Sequence, residues 1–383
     1  MYYTESFTGA SLPDKSLCIT FDDGPGEHTY AIAKYLYEEG IPATFFVVGK
    51  YAHEHPEILQ SLKDFGHLIA NHTYEHPEMP FYRSINGNVQ DQIIRTDIVI
   101  NKYVNYSTTY FRSPQGKWSE EVASDLNSNI LTASDHVGPI GWDIGGIDCY
   151  YWQLNRSVEE AFSVYIKEIN IKKKGIVVFH DEIADMDYVK PRNKTFELVK
   201  LIITKLKADG YSFVKLEEIQ SIKEASLKKM AFYIEAGSSK YLTLNEADGS
   251  VCYTNRQSNR AEFSLTKLSN CKIAIQSSNG YYLDVKEGEG NRILAENKQL
   301  GSTCGFDFIP LSNNQFVLRA SNGYYLTIDK NKFLTAGAQY MRHGQVFFYY
   351  PKDLPIRTTL KLSQKLELMK KRLQFIKSKI LQP

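Results

Sequence analysis

The 383-residue chain has no apolar run long enough to form a membrane-crossing helix, which takes about 18 or more consecutive residues. The opening Met1-Tyr2-Tyr3-Thr4-Glu5 has neither a basic stretch nor an apolar core, so no secretory signal is read there. The expected location is the cytoplasm for the chain as written, or outside the cell or in its envelope if a signal has been trimmed away. Charge of one sign is also missing. The 45 Lys/Arg and 44 Asp/Glu leave +1, which argues against a nucleic-acid binder and against an acidic disordered chain. The five cysteines, Cys18, Cys149, Cys252, Cys271 and Cys304, form no CxxC pair, so neither structural zinc nor a disulfide framework is expected. Tryptophan is scarce. The three present, Trp118, Trp142 and Trp152, share one short stretch, and none follows. Tyrosine is plentiful at 26, and the 43% hydrophobic content is ordinary for folded protein. At roughly 100–200 residues per domain, the length predicts two or three domains.

From about Ser16 to Ile222, short apolar runs alternate with amphipathic stretches. Strands are predicted at Leu17–Phe21, Ala43–Val48, Leu68–Ala70, Tyr110–Arg112, Ile140–Trp142, Ile176–Phe179 and Phe213–Leu216. Helices are predicted at Tyr30–Glu39, Val89–Val104, Ser157–Ile169 and Thr195–Ala208, the last with Leu198, Ile202 and Leu206 on one face. Such alternation predicts an α/β fold, a parallel sheet or barrel with its chemistry at the C-terminal strand ends. Beyond Met230 an internal repeat takes over. Ser239-Lys240-Tyr241-Leu242 recurs as Gly280-Tyr281-Tyr282-Leu283 and Gly323-Tyr324-Tyr325-Leu326, each followed by a phenylalanine, Phe263, Phe306 and Phe347. Three units of this kind predict a β-trefoil, since one unit alone cannot bury its apolar face. The Gly-Tyr-Tyr-Leu repeats resemble β-trefoils of the fascin type, and the absence of later tryptophan argues against ricin-type lectin repeats. In the last segment Leu362, Leu366, Met369, Leu373, Ile376 and Ile380 make one helical face, with eight Lys/Arg against two Asp/Glu. The expected division is therefore 1–225, 226–352 and a basic amphipathic helix over 353–383.

Five polar clusters sit at predicted strand ends. Asp22 and Asp23 precede a Gly24-Pro25 turn that can bring both carboxylates into one pocket, although Asp-Asp-Gly-Pro alone also reads as a plain turn. His72 and His76 are four apart, able to share a metal, and with a carboxylate they would leave coordination positions open as hydrolytic sites do. Arg112 opens Arg-Ser-Pro-Gln-Gly, where an arginine can hold a carboxylate and backbone N–H groups can face an oxyanion. Trp142-Asp143 leads to Asp148, and a buried strand delivers His180-Asp181.

In this order, over roughly residues 14–222, the five clusters resemble the NodB-homology polysaccharide deacetylases, carbohydrate esterase family 4. The resemblance rests on Thr-Phe-Asp-Asp-Gly-Pro at 20–25, His-Thr-x-x-His-Pro at 72–77, Arg-x-Pro-x-Gly at 112–116, Trp-Asp…Asp at 142–148 and His-Asp at 180–181. It implies a distorted (β/α) barrel and metal-dependent deacetylation of an acetylated glycan. The N-acetyl groups of chitooligosaccharide or peptidoglycan come first, with O-acetylated xylan as an alternative. It assigns the general base to Asp22, the metal ligands to Asp23, His72 and His76, and the orientation of the base to Arg112. His180 becomes the general acid, tuned by Asp148. Gln115, Phe179 and Trp142 are expected at the substrate. The cation implied is divalent, zinc first, with cobalt, nickel or another first-row ion accepted by the same donors. Ser113, Gln115, Gly145, Cys149 and Phe179 depart from the family's usual residues; with Cys149 where a Trp often closes the pocket, sugar stacking is expected to be weaker or to come from Trp118, Tyr150 or Trp152. A non-catalytic scaffold working through the trefoil, on a carbohydrate or protein ligand, is the rival reading.

Overall fold

The computed structural model describes residues 1–352 apart from 105–107, 237–239, 270–271, 287, 289, 302, 313 and 342–344. The basic helix expected over 353–383 lies outside the described residues. Among the described residues the first half has nine strands: β1 Tyr2–Phe7, β2 Ser16–Asp22, β3 Ala43–Val47, β4 Leu68–Asn71, β5 Thr109–Tyr110, β6 His136–Ile140, β7 Ile144–Gly145, β8 Gly175–His180 and β9 Ser212–Phe213. They form two sheets, β4-β3-β2-β8-β7 with β9 beside β2, and β1-β6-β5, and every pairing is parallel. One parallel bridge from Asn71 to Phe111 links the two sheets.

Parallel strands are covered on both faces, so they read as continuous apolar runs, and all seven residues of β2 are buried. Alternation along β2 still sorts its side chains. Leu17, Ile19 and Phe21 pack under the helices with Ile32, Leu198 and Ile202, while Cys18 joins Phe46, Val137 and Ile176 between the sheets. Thr20 and Asp22 share the parity of Cys18 and so face that inter-sheet side. The helix Thr195–Ala208 occupies the expected residues and buries Leu198, Ile202 and Leu206. The helix Val158–Lys172 starts from a capping box between Ser157 and Glu160.

Three expectations needed correction, and one strand, β1, was not expected. The run Ile140–Trp142 is not one strand: β6 ends at Ile140 in the second sheet, and β7 begins at Ile144 in the first. The run Phe213–Leu216 gives only the two-residue β9, followed by a 3₁₀ turn at Leu216–Glu218. The strand β1, with three exposed residues at its centre, carried no alternating apolar signal. The helix predicted to reach Val104 ends at Ile100.

The second half is all antiparallel. Three short hairpins pair Tyr241–Leu244 with Val251–Thr254, Tyr282–Lys286 with Arg292–Asn297, and Tyr325–Ile328 with Leu334–Ala338. Two longer ones join Glu262–Ser269 to Lys272–Ser277 and Gly305–Ser312 to Gln315–Arg319. The third longer pair is formed by the first and last strands, Ala231–Ala236 and Phe347–Pro351. The repeated residues form the core: Leu242, Leu283, Leu326, Phe263, Phe306 and Phe347 are all buried together. Gly280 and Gly323 turn corresponding corners at φ +85° and +83°, where a β-carbon would be strained. Leu131 of the first half packs on this core, and Tyr349 Oη donates to Asn129 Oδ1 at 3.4 Å.

Candidate active site

The strand β2 ends at Asp22, and the next residue turns sharply, with Asp23 at φ +76°. That turn lets two adjacent carboxylates meet one cleft, as the Gly24-Pro25 signal suggested. Asp22 Oδ2 lies 3.9 Å and Asp23 Oδ1 3.5 Å from His72 Nε2. Gly24 is required for close approach, because a β-carbon there would meet Asp181 Oδ2 at 2.1 Å. Asp181 itself takes a hydrogen bond from the Thr29 hydroxyl, and burial, with Glu182 and Asp23 nearby, pushes its carboxyl up to about 8.

Beyond β4 the chain makes one irregular turn, with Thr73 and His76 at φ +69° and +59°. Asn71 holds it from below: its Oδ1 accepts from Thr73 N at 2.8 Å, and its Nδ2 donates to Asp97 Oδ1 at 2.9 Å. His72 Nδ1 donates to the Arg112 carbonyl at 2.9 Å, and His76 Nδ1 to Asp185 Oδ2 at 2.9 Å. With both outer nitrogens engaged, each Nε2 is left to face Asp23, His76 Nε2 at 3.1 Å from Oδ1. One donor atom each from Asp23, His72 and His76 lies within 4.8 Å of the others. Two imidazoles and a carboxylate with fixed outer partners fit a divalent cation that keeps open positions. Burial disfavours the Asp23 carboxylate, but His76 and His72 hold it well below the usual carboxylate range. Burial likewise disfavours the His76 imidazolium, yet Asp23 and Asp185 outweigh it and push the pKa up to about 10. A cation entering this set takes over the charge balance that those protons supply.

Arg112 is fully buried and each of its three side-chain nitrogens donates. Nη1 donates to Asp22 Oδ1 at 2.6 Å and Thr20 Oγ1 at 2.9 Å, Nε to the Ile140 carbonyl at 3.1 Å, and Nη2 to the Gly141 carbonyl at 3.0 Å. The gap between β6 and β7 thus supplies two acceptors for the guanidinium. Gln115 follows at φ +56°, and its Nε2 donates to Asp185 Oδ2 at 3.1 Å. Trp142 packs beside this turn, since a β-carbon on Gly116 would lie 2.7 Å from its ring. With Trp118, Ser113 and Gly141 it lines a cleft of about 210 Å³ next to Arg112.

On the other side, β8 delivers His180. Its Nδ1 donates to Asp148 Oδ1 at 2.7 Å, and its backbone N–H to Asp148 Oδ2 at 2.8 Å. Asp148 is wholly buried and also accepts from Thr195 Oγ1 at 3.1 Å, a hydroxyl that in turn takes Trp152 Nε1 at 2.9 Å. Burial opposes the imidazolium, but Asp148 raises the His180 pKa well above its ordinary 6.5. The ring nitrogen not bonded to Asp148 is Nε2.

The structure therefore gathers Asp22, Asp23, His72, His76 and Arg112 into one centre, with the Asp148–His180 pair on the neighbouring strand end. Two expectations fail. Phe179 is fully buried, stacked between Phe21 and Tyr165 on the helix-facing side of β8, so strand alternation turns it away from the cleft that His180 faces. Trp152 is 1% exposed and cannot stack on a sugar, whereas Tyr150 is 58% exposed. Sequence reasoning missed Asp185, Thr195 and the Ala184 N–H, which donates to Asp23 Oδ2 at 3.1 Å. For Asp185 and Ala184 the available signal was the run Asp181-Glu182-Ile183-Ala184-Asp185 after the strand-end histidine.

A sequence profile described as polysaccharide deacetylase matches residues 9–133, and one described as a fascin domain matches residues 240–349. A chitooligosaccharide deacetylase of Sinorhizobium fredii is 34% identical over 214 residues, covering 53% of this chain and 90% of the relative. One from Rhizobium leguminosarum bv. trifolii is 28% identical over 220 residues, 55% of this chain and 95% of its own length. A peptidoglycan-N-acetylglucosamine deacetylase of Bacillus cereus is 33% identical over 148 residues, 37% of this chain and 50% of the relative. With its site geometry and a relationship that runs nearly the whole length of the rhizobial enzymes, the chain belongs to the polysaccharide deacetylases, the NodB-type carbohydrate esterases of family 4.

Proposed function

We propose that the protein is a metal-dependent N-deacetylase of GlcNAc-containing glycans, of the chitooligosaccharide or peptidoglycan class. The observation that carries this reading is the meeting of the Asp23, His72 and His76 donors with the Arg112–Asp22 pair. The relatives' names, which cover both substrate classes, support it. Asp23, His72 and His76 would hold the cation, zinc first. When bound, it would lower the pKa of water toward neutrality and polarise the acetyl carbonyl.

The chain's own residues do the rest. Asp22 is the general base: Arg112 engages Oδ1 and leaves Oδ2 to take the proton of the attacking water. The backbone N–H of Gln115 faces the developing oxyanion. His180 delivers a proton from Nε2 to the departing amine, while Asp148 fixes its tautomer and keeps it protonated. The cleft between Trp118 and Trp142 is the natural seat for a neighbouring sugar ring, and Tyr150 offers an exposed face near the acid.

The same reading makes 1–225 a distorted (β/α) barrel domain and 226–352 a fascin-like β-trefoil that positions the enzyme on a carbohydrate or protein ligand. Its support is the threefold recurrence of hairpins and of buried Leu and Phe. The test is acetate release from chitooligosaccharides and from peptidoglycan, abolished by a chelator and restored by Zn²⁺ or Co²⁺. If no acetylated glycan releases acetate, the proposal is wrong.

A further inference from the structure

The two histidines of the cation site are held by different means. His72 Nδ1 donates to a backbone carbonyl, Arg112 O, fixed just past a buried strand. His76 Nδ1 donates instead to a carboxylate, Asp185 Oδ2 at 2.9 Å, on the loop that follows β8. A carboxylate behind an imidazole fixes its tautomer, aims its other nitrogen and makes that nitrogen a stronger donor, which a neutral carbonyl does less well. His76 needs such support more than His72 does, because its backbone sits at φ +59°, a conformation kept only where surrounding contacts enforce it.

Asp185 does not act alone. The same Oδ2 accepts from Gln115 Nε2 at 3.1 Å, so the carboxylate bridges the loop after β8 and the turn after Arg112. One residue earlier, Ala184 N donates to Asp23 Oδ2 at 3.1 Å. The loop thereby steadies two of the three donors, the imidazole of His76 and the carboxylate of Asp23. It is itself tied down, since Tyr51 Oη donates to Ala184 O at 3.3 Å and Lys190 Nζ donates to Tyr51 Oη at 3.4 Å. The Asp185 side chain is 46% exposed, so it serves no core.

We propose that Asp185, tethered by Gln115, is a positioning residue that sets how tightly His76 holds the cation. The inference rests on the reading of Asp23, His72 and His76 as the cation's ligands and adds the group that tunes them. The loop after β8 is then part of the metal site, directly downstream of the strand end that carries His180.

The test measures Zn²⁺ and Co²⁺ dissociation constants of the full chain against a chelator of known affinity. The visible spectrum of the Co²⁺ form is the second readout, and His76→Ala serves as the control. Asp185→Ala should weaken binding by about 10–100-fold and alter the Co²⁺ spectrum. Asp185→Asn, which keeps the shape and loses the charge, should fall between it and the parent. Gln115→Ala should weaken binding less, and adding it to Asp185→Ala should change nothing further, because it acts through the same carboxylate. Apo-form unfolding temperatures separate these effects from loss of fold. Parent-like affinity and an unchanged spectrum in Asp185→Ala, with binding lost in His76→Ala, would overturn the inference and leave the ligand set standing. A parent protein that binds neither ion would overturn both.

Discussion

Replacing Asp148 by Asn probes the proton-transfer half of the site while leaving the cation ligands untouched. Asp148 is wholly buried and its two oxygens accept three hydrogen bonds, two from His180 and one from Thr195. Asparagine preserves the volume but removes the charge that holds His180 protonated against burial. It also offers only one acceptor oxygen for three donors. If His180 is the general acid, the loss should approach the usual worth of such a group, about 10²–10⁴-fold in kcat. At 1.36 kcal/mol per decade this is about 3–5 kcal/mol of barrier. The pH dependence carries the sharper signature. His180 is raised above its ordinary 6.5, so the parent keeps its acid protonated to higher pH. In Asp148→Asn that support is gone, and the alkaline limb of the kcat profile should move to lower pH. Stability must follow the same sign. A group with a raised folded-state pKa stabilises the fold fully below its unfolded value and loses that contribution as pH rises through the folded value. The gap in unfolding temperature between parent and variant should therefore be widest near and below pH 6.5 and narrow in alkali. The assay is acetate release across pH alongside thermal unfolding in the same buffers. An Asp148→Asn protein with an unshifted alkaline limb would refute the assignment of His180 as the acid that Asp148 tunes.

Two other expectations concern separate parts of the molecule. Asp22→Asn should retain bound cation by elemental analysis yet lose turnover, whereas His72→Ala should lose cation and activity together. An empty site in Asp22→Asn would mean that the two aspartates exchange roles. Leu283→Ala, at a fully buried core position of the second half, should cost about 2–5 kcal/mol of that half's stability. In calorimetry it should lower the transition of the strand-rich half alone, and a single transition shifting as a whole would show that the two halves unfold together.

The elements most legible in the sequence were those whose signal is local. The helix Thr195–Ala208 and the buried strands β2, β3, β4 and β8 announce themselves through apolar periodicity or continuous apolar runs. The residues Asp22, Asp23, His72, His76 and Arg112 were visible as polar groups at strand ends, a place where the fold class concentrates chemistry. What escaped was set by long-range context. β1 is a strand only because β6 offers it a parallel partner about 135 residues away, and its own pattern is mostly exposed. The break between Ile140 and Ile144 could not be read from an apolar run, because it depends on which sheet each piece joins and on Arg112 taking two carbonyls there. Phe179 was misjudged by one residue of strand parity, which turned a helix-facing core ring into an expected substrate contact. Asp185 escaped because an aspartate in a polar loop looks like any other until folding brings it to His76.

The seam between Ala231–Ala236 and Phe347–Pro351 bears on how the molecule is made. Phe232 pairs with Pro351 and Ala236 with Phe347, so the first strand of the second half has no permanent hydrogen-bonding partner on this edge until the last has been synthesised. At translation rates of about 5–20 residues per second, the intervening stretch of about 120 residues keeps that edge waiting for roughly 6–24 s. Over that interval the catalytic half has already emerged, and its strands are joined only to residues that precede the seam. If the catalytic half folds as it emerges, the nascent chain carries its site ahead of an open strand edge, an arrangement exposed to mispairing with a neighbouring copy. Ribosome-bound chains halted before Phe347 should consequently acquire catalytic competence early, and they should be the species that chaperones and aggregation compete for.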